Sequence, residues 1–286
     1  MFDFRYHAFS LVAVFLALTI GLLLGVAIGD EGLVSSAEHD LRSSLRTDVE
    51  QAHDQSDALR TQLHEHERFE QEAYPIMVGG RLQGMRVGLV AFGELNDGLV
   101  KQVRSALSPT GAHLVSVMVI REQPNLKELA EKAGSTYAGV IEQQPVVIER
   151  LGRRIGGQIA GGGKLIDQTR RTLFSSSSGE FSDLQAVVLF HASDKPKEKN
   201  AALVQSQFEQ GLILGLRRHG MPTLGVEQTT TDPSQVSWYE EHELGSVDNL
   251  DQVSGWLALV LALAGAEGSY GIKSSADALL PRAVVP

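Results

Sequence analysis

The chain has 286 residues, no cysteine and a formal net charge of −10 at pH 7. Without cysteine, disulfides, thiolate metal sites and cysteine nucleophiles are excluded. The acidic balance argues against nucleic acid or anionic lipid as a partner of the main body. The length is sufficient for one globular domain of about 200 residues beside a shorter N-terminal segment.

The first feature along the chain is an apolar run over residues 8–28, interrupted only by Ser10, Thr19 and two glycines. As a helix rising about 1.5 Å per residue, the run spans roughly 30 Å, the thickness of the hydrocarbon core of a bilayer. We therefore predict a single transmembrane helix. The alternative is a signal peptide, whose apolar region is usually about 7–15 residues long and follows a basic stretch. Only Arg5 precedes the run, but residues 35–37 offer a small-x-small cleavage site.

The charges beside the run predict its orientation. Arg5 and the N-terminal amine precede it, and the first cation after it is Arg42. The positive-inside rule counts Lys and Arg, so it favours a cytoplasmic N-terminus and an extracytoplasmic main domain at the cell membrane. The outer envelope membrane is the alternative location.

Small residues recur at every fourth position of the apolar run. They are Ala13, Ala17, Gly21, Gly25 and Gly29. On a helix they form one smooth ridge that a second backbone can approach closely. The ridge predicts pairing with a second copy or with another membrane protein. The alternative is a chance repeat, because Gly and Ala are common in membrane helices.

A polar, helix-prone segment extends over residues 31–74. Its apolar residues alternate in steps of four and three, which is the spacing of a coiled-coil seam. The seam residues are Leu45, Val49, Ala52, Ser56, Leu59 and Leu63. We predict a stalk that pairs two copies into a homodimer; the alternative is a solvated stalk lying against its own globular domain. We expect Pro75 and the Gly79-Gly80 pair to end this stalk.

Residues 75–286 alternate short apolar strands with helices. The predicted strands are 85–92, 113–120, 186–190, 222–226 and 246–250, and the predicted helices are 96–107, 126–133, 137–159, 200–218 and 252–264. This alternation predicts an α/β fold with a Rossmann-like, doubly wound, mostly parallel sheet. The expected domains are therefore the N-terminal tail and transmembrane helix (1–30), the coiled-coil stalk (31–74) and the α/β domain (75–286). The apolar segment 256–265 is too short to cross a membrane.

Two glycine-containing segments invite comparison with phosphate-binding loops. Residues 92–98 follow the first predicted strand, where doubly wound folds hold phosphate at a helix N-terminus. They lack the G-x-G-x-x-G pattern and carry the carboxylates of Glu94 and Asp97. Residues 161–164 read Gly-Gly-Gly-Lys, but no Ser or Thr follows the lysine. We expect no nucleotide site at the first segment and a turn between two helices at the second.

Signals of catalysis are weak. The sequence has no G-x-S-x-G elbow, and the serines at 175–178 are expected to form a flexible loop. His191 follows the third predicted strand, with Asp194 three residues later, a pairing that suits acid–base chemistry. A structural histidine at a strand end is the alternative. We expect a non-enzymatic domain without catalytic or cofactor-binding residues.

Metal ligands are sparse as well. His64 and His66 lie two residues apart, so on a helix they point about 200° from each other and cannot chelate one ion. His242 lies among three glutamates between positions 240 and 243, a patch that is a partner surface, a weak cation site or a plain solvated loop. No group of thiolates or clustered thioethers suits Cu(I). These three histidines are the weak metal candidates of the sequence.

Two segments together resemble one known family. The opening MFDFRYHAFSLVAVFLALTIGLLLG and the late GSVDNLDQVSGWLALVLALAGAEGSYG are similar to the copper transporter family typified by mycobacterial copper transport protein B. The resemblance includes the lead-in at residues 5–7, the apolar run and the helical stalk. It also includes a motif before a late apolar helix, formed by Ser246, Val247, Asp248, Asn249 and Asp251 and followed by Gly271.

The resemblance implies an envelope protein with a role in copper transport or copper homeostasis, and copper as its only implied cofactor or cargo. Some relatives are linked to cell separation beside a partner protein. This link implies the alternative of a non-catalytic scaffold or regulator that binds an envelope protein in cell-wall remodelling. A single helix whose only polar members are Ser10 and Thr19 cannot line a hydrophilic pore alone.

Overall fold

The computed structural model describes residues 4–29, 31–138, 145–192 and 199–282. Its internal contacts divide the chain into two compact units, Met1–Arg68 and Phe69–Pro286. The first unit consists of helix α1 (Phe4–Ile28) and most of helix α2 (Glu31–Val78). The second unit contains the end of α2 and the α/β elements.

Helix α1 has the length and composition to cross a membrane over Arg5–Ala27, and it is the one such helix in the described part of the chain. Its described side chains are exposed. This exposure is expected for a helix that is apolar all round and is covered by lipid. The predicted long apolar helix is therefore confirmed, and it fits a membrane anchor.

Helix α2 is continuous over 48 residues and ends directly before the Gly79-Gly80 pair, as expected, but the expectation that Pro75 ends it is wrong. The helix continues to Val78, although a proline inside a helix costs about 3 kcal/mol. Packing in the second unit offsets this cost, because Tyr74 and Val78 are buried at 3% and 0% exposure. The hydroxyl of Tyr74 also donates to the carbonyl oxygen of Ala106 at 2.6 Å. Tertiary contacts thus hold the last turn in helical form.

The second unit alternates strands and helices along the chain. In chain order these are β1 (Arg86–Phe92), α3 (Asp97–Leu107), β2 (His113–Ile120), α4 (Leu126–Ala133), α5 (Pro145–Gly161), α6 (Lys164–Leu173), β3 (Phe174–Gly179), β4 (Ala186–His191), α7 (Lys199–Leu216), β5 (Thr223–Val226), α8 (Val236–Glu241), β6 (Gly245–Val247), α9 (Val253–Leu263) and β7 (Ser269–Tyr270).

The strands form one sheet in the order β3-β2-β1-β4-β5-β6-β7. Strand β3 is antiparallel to β2, and the other pairings in this sheet are parallel. The predicted mixed α/β fold with a mostly parallel sheet is therefore confirmed. The two-residue strand β7 was not expected from the sequence.

The central strands are buried on both faces. Val90 of β1 and Leu189 of β4 belong to a core that also contains buried residues of α4 to α7. Their neighbours Leu89 and Val188 belong to a second core with α3 and α9. Because successive residues of a strand point to opposite faces, helices cover the sheet on both sides.

Two local expectations are wrong. Residues 175–178 are not a loop but part of β3, which pairs with β2 at the edge of the sheet. Its serines are mostly exposed, so the strand has no apolar alternation, and its backbone pairing with β2 and the buried Phe174 hold it in place. The second error is the beginning of the helix predicted over 137–159: Tyr137 lies in a turn and residues 139–144 lie outside the described residues, whereas α5 confirms the helix from Pro145. Proline suits a first helical turn because the N–H it lacks has no partner there.

Helices α5 and α7 are in direct backbone contact. A Cβ atom added to Gly152 or Gly156 of α5, or to Gly211 or Gly215 of α7, would overlap a backbone carbonyl of the facing helix. Only glycine permits so close an approach. This contact determines the position of α7, which carries a buried carboxylate described below.

Candidate functional site

Buried polar side chains collect at the carboxyl ends of three neighbouring strands. His191 is the last residue of β4, Glu227 follows β5 and Asp248 follows β6. Their exposed fractions are 6%, 0% and 0%. Parallel strands end at the same edge of a sheet, and this edge is where open α/β sheets bind ligands. It is therefore the candidate functional site of the described residues.

Glu227 is fully engaged by neighbouring groups. Its Oε1 accepts hydrogen bonds from Nζ of Lys273 at 2.6 Å and from the hydroxyl of Ser234 at 2.7 Å. Its Oε2 accepts from the backbone N–H of Gln235 at 2.6 Å. Nζ of Lys273 also donates to the carbonyl of Thr231 at 2.8 Å. A buried charge needs such partners, so Glu227 is a structural tie between the loop after β5 and the C-terminal segment.

Asp248 ties down the same C-terminal segment. Its two carboxylate oxygens accept from the backbone N–H groups of Ile272 at 2.8 Å and Lys273 at 3.0 Å. Gly271 has a φ of +143°, and a Cβ atom there would overlap the carboxylate of Asp248. The aspartate and the glycine that contribute to the family resemblance are therefore structural partners.

The other polar residues of the late motif also stabilise local structure. Nδ2 of Asn249 donates to the hydroxyl of Ser254 at 3.0 Å, at the beginning of α9. Asp251 accepts from the backbone N–H of Thr229 at 2.8 Å and from its hydroxyl. The motif therefore joins β6, α9 and the loop after β5, while Oγ of Ser246 and Oδ1 of Asn249 are buried without a hydrogen-bond partner among the described residues.

His191 is oriented by an amide and faces a carboxylate. Nδ1 of His191 lies 2.9 Å from Oε1 of Gln235, whose Nε2 donates to the carbonyl of Pro233 at 2.8 Å. The amide orientation assigned by that second bond makes Nδ1 a donor, and in the neutral imidazole the lone pair then lies on Nε2. Nε2 lies 3.8 Å from Oε2 of Glu209, and both side chains are 7% exposed. The other oxygen of Glu209 accepts from Nε2 of Gln205 at 2.7 Å.

An aromatic stack covers this pair. The imidazole of His191 stacks on the indole of Trp238 with ring centroids 4.0 Å apart, and the imidazole of His242 lies 4.1 Å from the same indole. The hydroxyl of Tyr239 accepts from the backbone N–H of His191 at 3.1 Å and donates to the carbonyl of Val226 at 2.9 Å. Burial raises the pKa of Tyr239 well above its ordinary value, so the phenol stays neutral and holds β4 and β5 together.

The weak metal candidates of the sequence belong to different units of the chain. His242 is buried in the aromatic stack, and its Nδ1 lies 2.7 Å from the carbonyl of Trp238. His64 and His66 are exposed on α2. In the part of the chain that the structure describes, no three His, Asp or Glu side chains are arranged to hold a metal ion.

The other segments singled out in the sequence have local roles. Asn96 precedes α3 and caps it, because its Oδ1 accepts from the backbone N–H of Leu99 at 2.8 Å. Residues 162 and 163 form the predicted turn between α5 and α6. Asp194, the expected partner of His191, lies outside the described residues.

Sequence reasoning found His191 but missed Glu209, Gln235 and Trp238. Glu209 had a usable signal: it lies between Phe208 and the apolar stretch that follows it in α7, and a charged residue on a buried helical stripe needs a partner. Gln235 and Trp238 had none, since they follow a different strand and meet His191 only through the parallel arrangement of β4 and β5.

Comparison with known proteins identifies the family. A sequence model of the family described as "Copper transport outer membrane protein, MctB" matches residues 1–281. The chain belongs to this family. Proteins named "Copper transporter MctB" from Mycobacterium bovis and Mycobacterium tuberculosis are 24% identical to it over 307 residues, which covers 95% of this chain and 96% of theirs. The family resemblance stated from the two ends of the sequence is confirmed, and the family is named for transport and not for an enzymatic activity.

Proposed function

We propose that the protein takes part in copper transport or copper homeostasis at the cell envelope, held there by α1. The observation that carries the proposal is the family match over residues 1–281. This match includes the apolar helix, α2 and the α/β unit together, so a shared membrane helix alone does not account for it. The names of the relatives mention copper and not cell separation, and the scaffold alternative has no support from them.

We assign residues 1–30 to the tail and membrane helix, 31–74 to the stalk and 75–286 to a Rossmann-like, doubly wound domain. The sheet order around β1 and β4 and the helices on both faces support this topology. A chain that lacks residues 1–68 is expected to be soluble and folded, because those residues form a separate compact unit. Aggregation of that shortened chain would contradict the assignment.

We propose that two copies pair through α1 and the stalk. A Cβ atom at Gly21 or Gly25 would meet nothing within 4 Å, so the ridge is open to a second helix. The seam residues Leu45, Leu59 and Leu63 are 54%, 65% and 59% exposed. Exposed aliphatic side chains at this spacing are stabilised by a partner helix. Since one apolar helix cannot line a pore, ion conduction requires such pairing or another membrane protein.

Copper handling in cells that lack the protein tests the proposed role. We expect the deletion to raise cellular copper and lower copper tolerance, and the full chain to restore both. A chain without residues 1–28 keeps the α/β unit but lacks the anchor, and it should fail to restore either. Unchanged copper content and tolerance after the deletion would refute the proposed role.

We propose that the N-terminus is cytoplasmic and the α/β domain extracytoplasmic, with the outer envelope membrane as the alternative location. In the first arrangement, a protease should remove a C-terminal tag once the outer envelope is permeabilised while the cell membrane is intact. Envelope fractionation separates the inner from the outer membrane. A tag that is protected until the cell membrane itself is opened would contradict an extracytoplasmic domain.

A further inference from the structure

The pair formed by His191 and Glu209 leaves two atoms facing each other without a hydrogen bond. Nε2 of His191 and Oε2 of Glu209 are 3.8 Å apart, beyond hydrogen-bond distance. Nδ1 of His191 contacts Oε1 of Gln235, and Oε1 of Glu209 accepts a hydrogen bond from Nε2 of Gln205. In the neutral imidazole, whose donor is Nδ1, the lone pair of Nε2 points towards a carboxylate oxygen in a buried place. Two such acceptors repel each other unless a proton or a metal cation lies between them.

The dimensions of this gap suit a metal ion. First-row metals bind imidazole nitrogen at about 2.0–2.1 Å and carboxylate oxygen at about 2.0–2.2 Å. The two bonds together slightly exceed 3.8 Å, so one ion bridges the atoms with a bent angle. Metal-bound histidines usually donate their other ring N–H to an oxygen acceptor, and metal-bound carboxylates are hydrogen-bonded in turn. Gln235 and Gln205 provide these outer contacts.

We propose that His191 and Glu209 form a binding site for a divalent transition metal, with Cu²⁺ preferred. Imidazole and carboxylate together suit Cu²⁺, and Cu²⁺ binds such ligands more tightly than the other divalent ions of the first row. Two protein ligands leave coordination positions open to water or to an incoming ligand. An open site of this kind suits an ion that exchanges. The inference deepens the proposed role in copper handling and rests on that role for its biological meaning.

The fluorescence of Trp238 can report metal binding at the proposed site. The sequence contains two tryptophans. Trp238 stacks on His191 with centroids 4.0 Å apart, whereas Trp256 packs against Tyr74 at 5.6 Å. Cu²⁺ is paramagnetic and quenches the fluorescence of an indole at such short range. In a Trp256→Phe chain the tryptophan fluorescence therefore comes from Trp238, which contacts the rings of His191 and His242.

The test is a titration of the detergent-solubilised full chain carrying Trp256→Phe with Cu²⁺. We expect saturable quenching of Trp238 with one ion per chain. His191→Gln and the nearly isosteric Glu209→Gln should each raise the Kd by about 100-fold, since loss of an outer contact alone typically costs about 10–100-fold. The matched control is His113→Gln, which removes an exposed histidine of the same domain and should leave the Kd within about twofold.

Several results would overturn the proposal. They are the absence of saturable quenching, quenching of Glu209→Gln that equals that of the parent chain, and a loss of quenching in His242→Gln but not in His191→Gln. Circular dichroism of each variant shows whether it is folded. If His191→Gln does not fold, the Kd of Glu209→Gln decides the test. Electron paramagnetic resonance spectra of the bound Cu²⁺ should show coupling to one imidazole nitrogen. A spectrum without nitrogen coupling would also refute the assignment. If the titration fails but the deletion still changes copper content and tolerance in cells, this site is refuted and the proposed function stands. If the titration succeeds but the deletion changes neither, the proposed function is refuted and the site stands.

Discussion

The glycine contact between α5 and α7 makes a sharp prediction about two adjacent residues. A Cβ atom on Gly156 would lie less than 3.0 Å from the carbonyl oxygen of Leu212, a distance that Cβ atoms in proteins essentially never show. A Cβ atom on Gly157 would have its nearest neighbour at 3.8 Å, an ordinary contact. The first overlap involves backbone, which cannot rotate away, so the two helices must move apart.

The expected effects have opposite signs. In a helix, alanine is about 0.8–1.0 kcal/mol more favourable than glycine, so Gly157→Ala should stabilise the fold by up to that amount. Gly156→Ala gains the same propensity but overpacks the core, which typically costs about 1–3 kcal/mol and more where backbone is displaced. For a domain of this size, about 1 kcal/mol shifts the Tm by roughly 2–4 °C.

Thermal unfolding of both variants, followed by near-ultraviolet circular dichroism, measures the difference. We expect Gly156→Ala to lower the Tm and Gly157→Ala to raise it slightly. If both variants unfold at the same temperature, the helices are not in backbone contact. The position of α7, and with it the approach of Glu209 to His191, would then be wrong.

Three further outcomes are expected. Burial raises the pKa of Tyr74, so its contribution to stability is complete below pH of about 10 and is lost as the pH rises through the folded-state value. Tyr74→Phe should therefore weaken the loss of urea resistance as the pH rises above about 10, and an unchanged loss would contradict the burial of this phenol. Asp248→Asn weakens charged hydrogen bonds worth about 1.5–3 kcal/mol each, so limited proteolysis should cut the C-terminal segment sooner than in the parent chain. Replacing Gly21 and Gly25 by Leu should reduce self-association in a membrane two-hybrid assay, and unchanged association would remove the proposed ridge.

Elements with a strong local signal were predictable from the sequence. Helix α1 is apolar all round and long enough for a bilayer, and β1, β2 and β4 are apolar runs bounded by turns. Such patterns report burial directly, because few other structures accommodate them. Strand β3 was missed because its exposed serines carry no apolar alternation, and its pairing with β2 is made by backbone groups. The end of α2 was misplaced because the burial of Tyr74 and Val78 outweighs the local effect of a proline.

The sequence by itself determined the apolar helix, the buried strands, the mostly parallel sheet and the absence of thiolate chemistry, since these follow from periodicity and composition. Only the tertiary structure decided which polar residues meet. His191, Glu209 and Gln235 come from separate elements, and no local pattern relates them. Parallel strands bring His191 and the segment after β5 to one edge. The glycine contact with α5 then sets how closely α7 presents its carboxylate, because backbone can approach backbone only where side chains are absent.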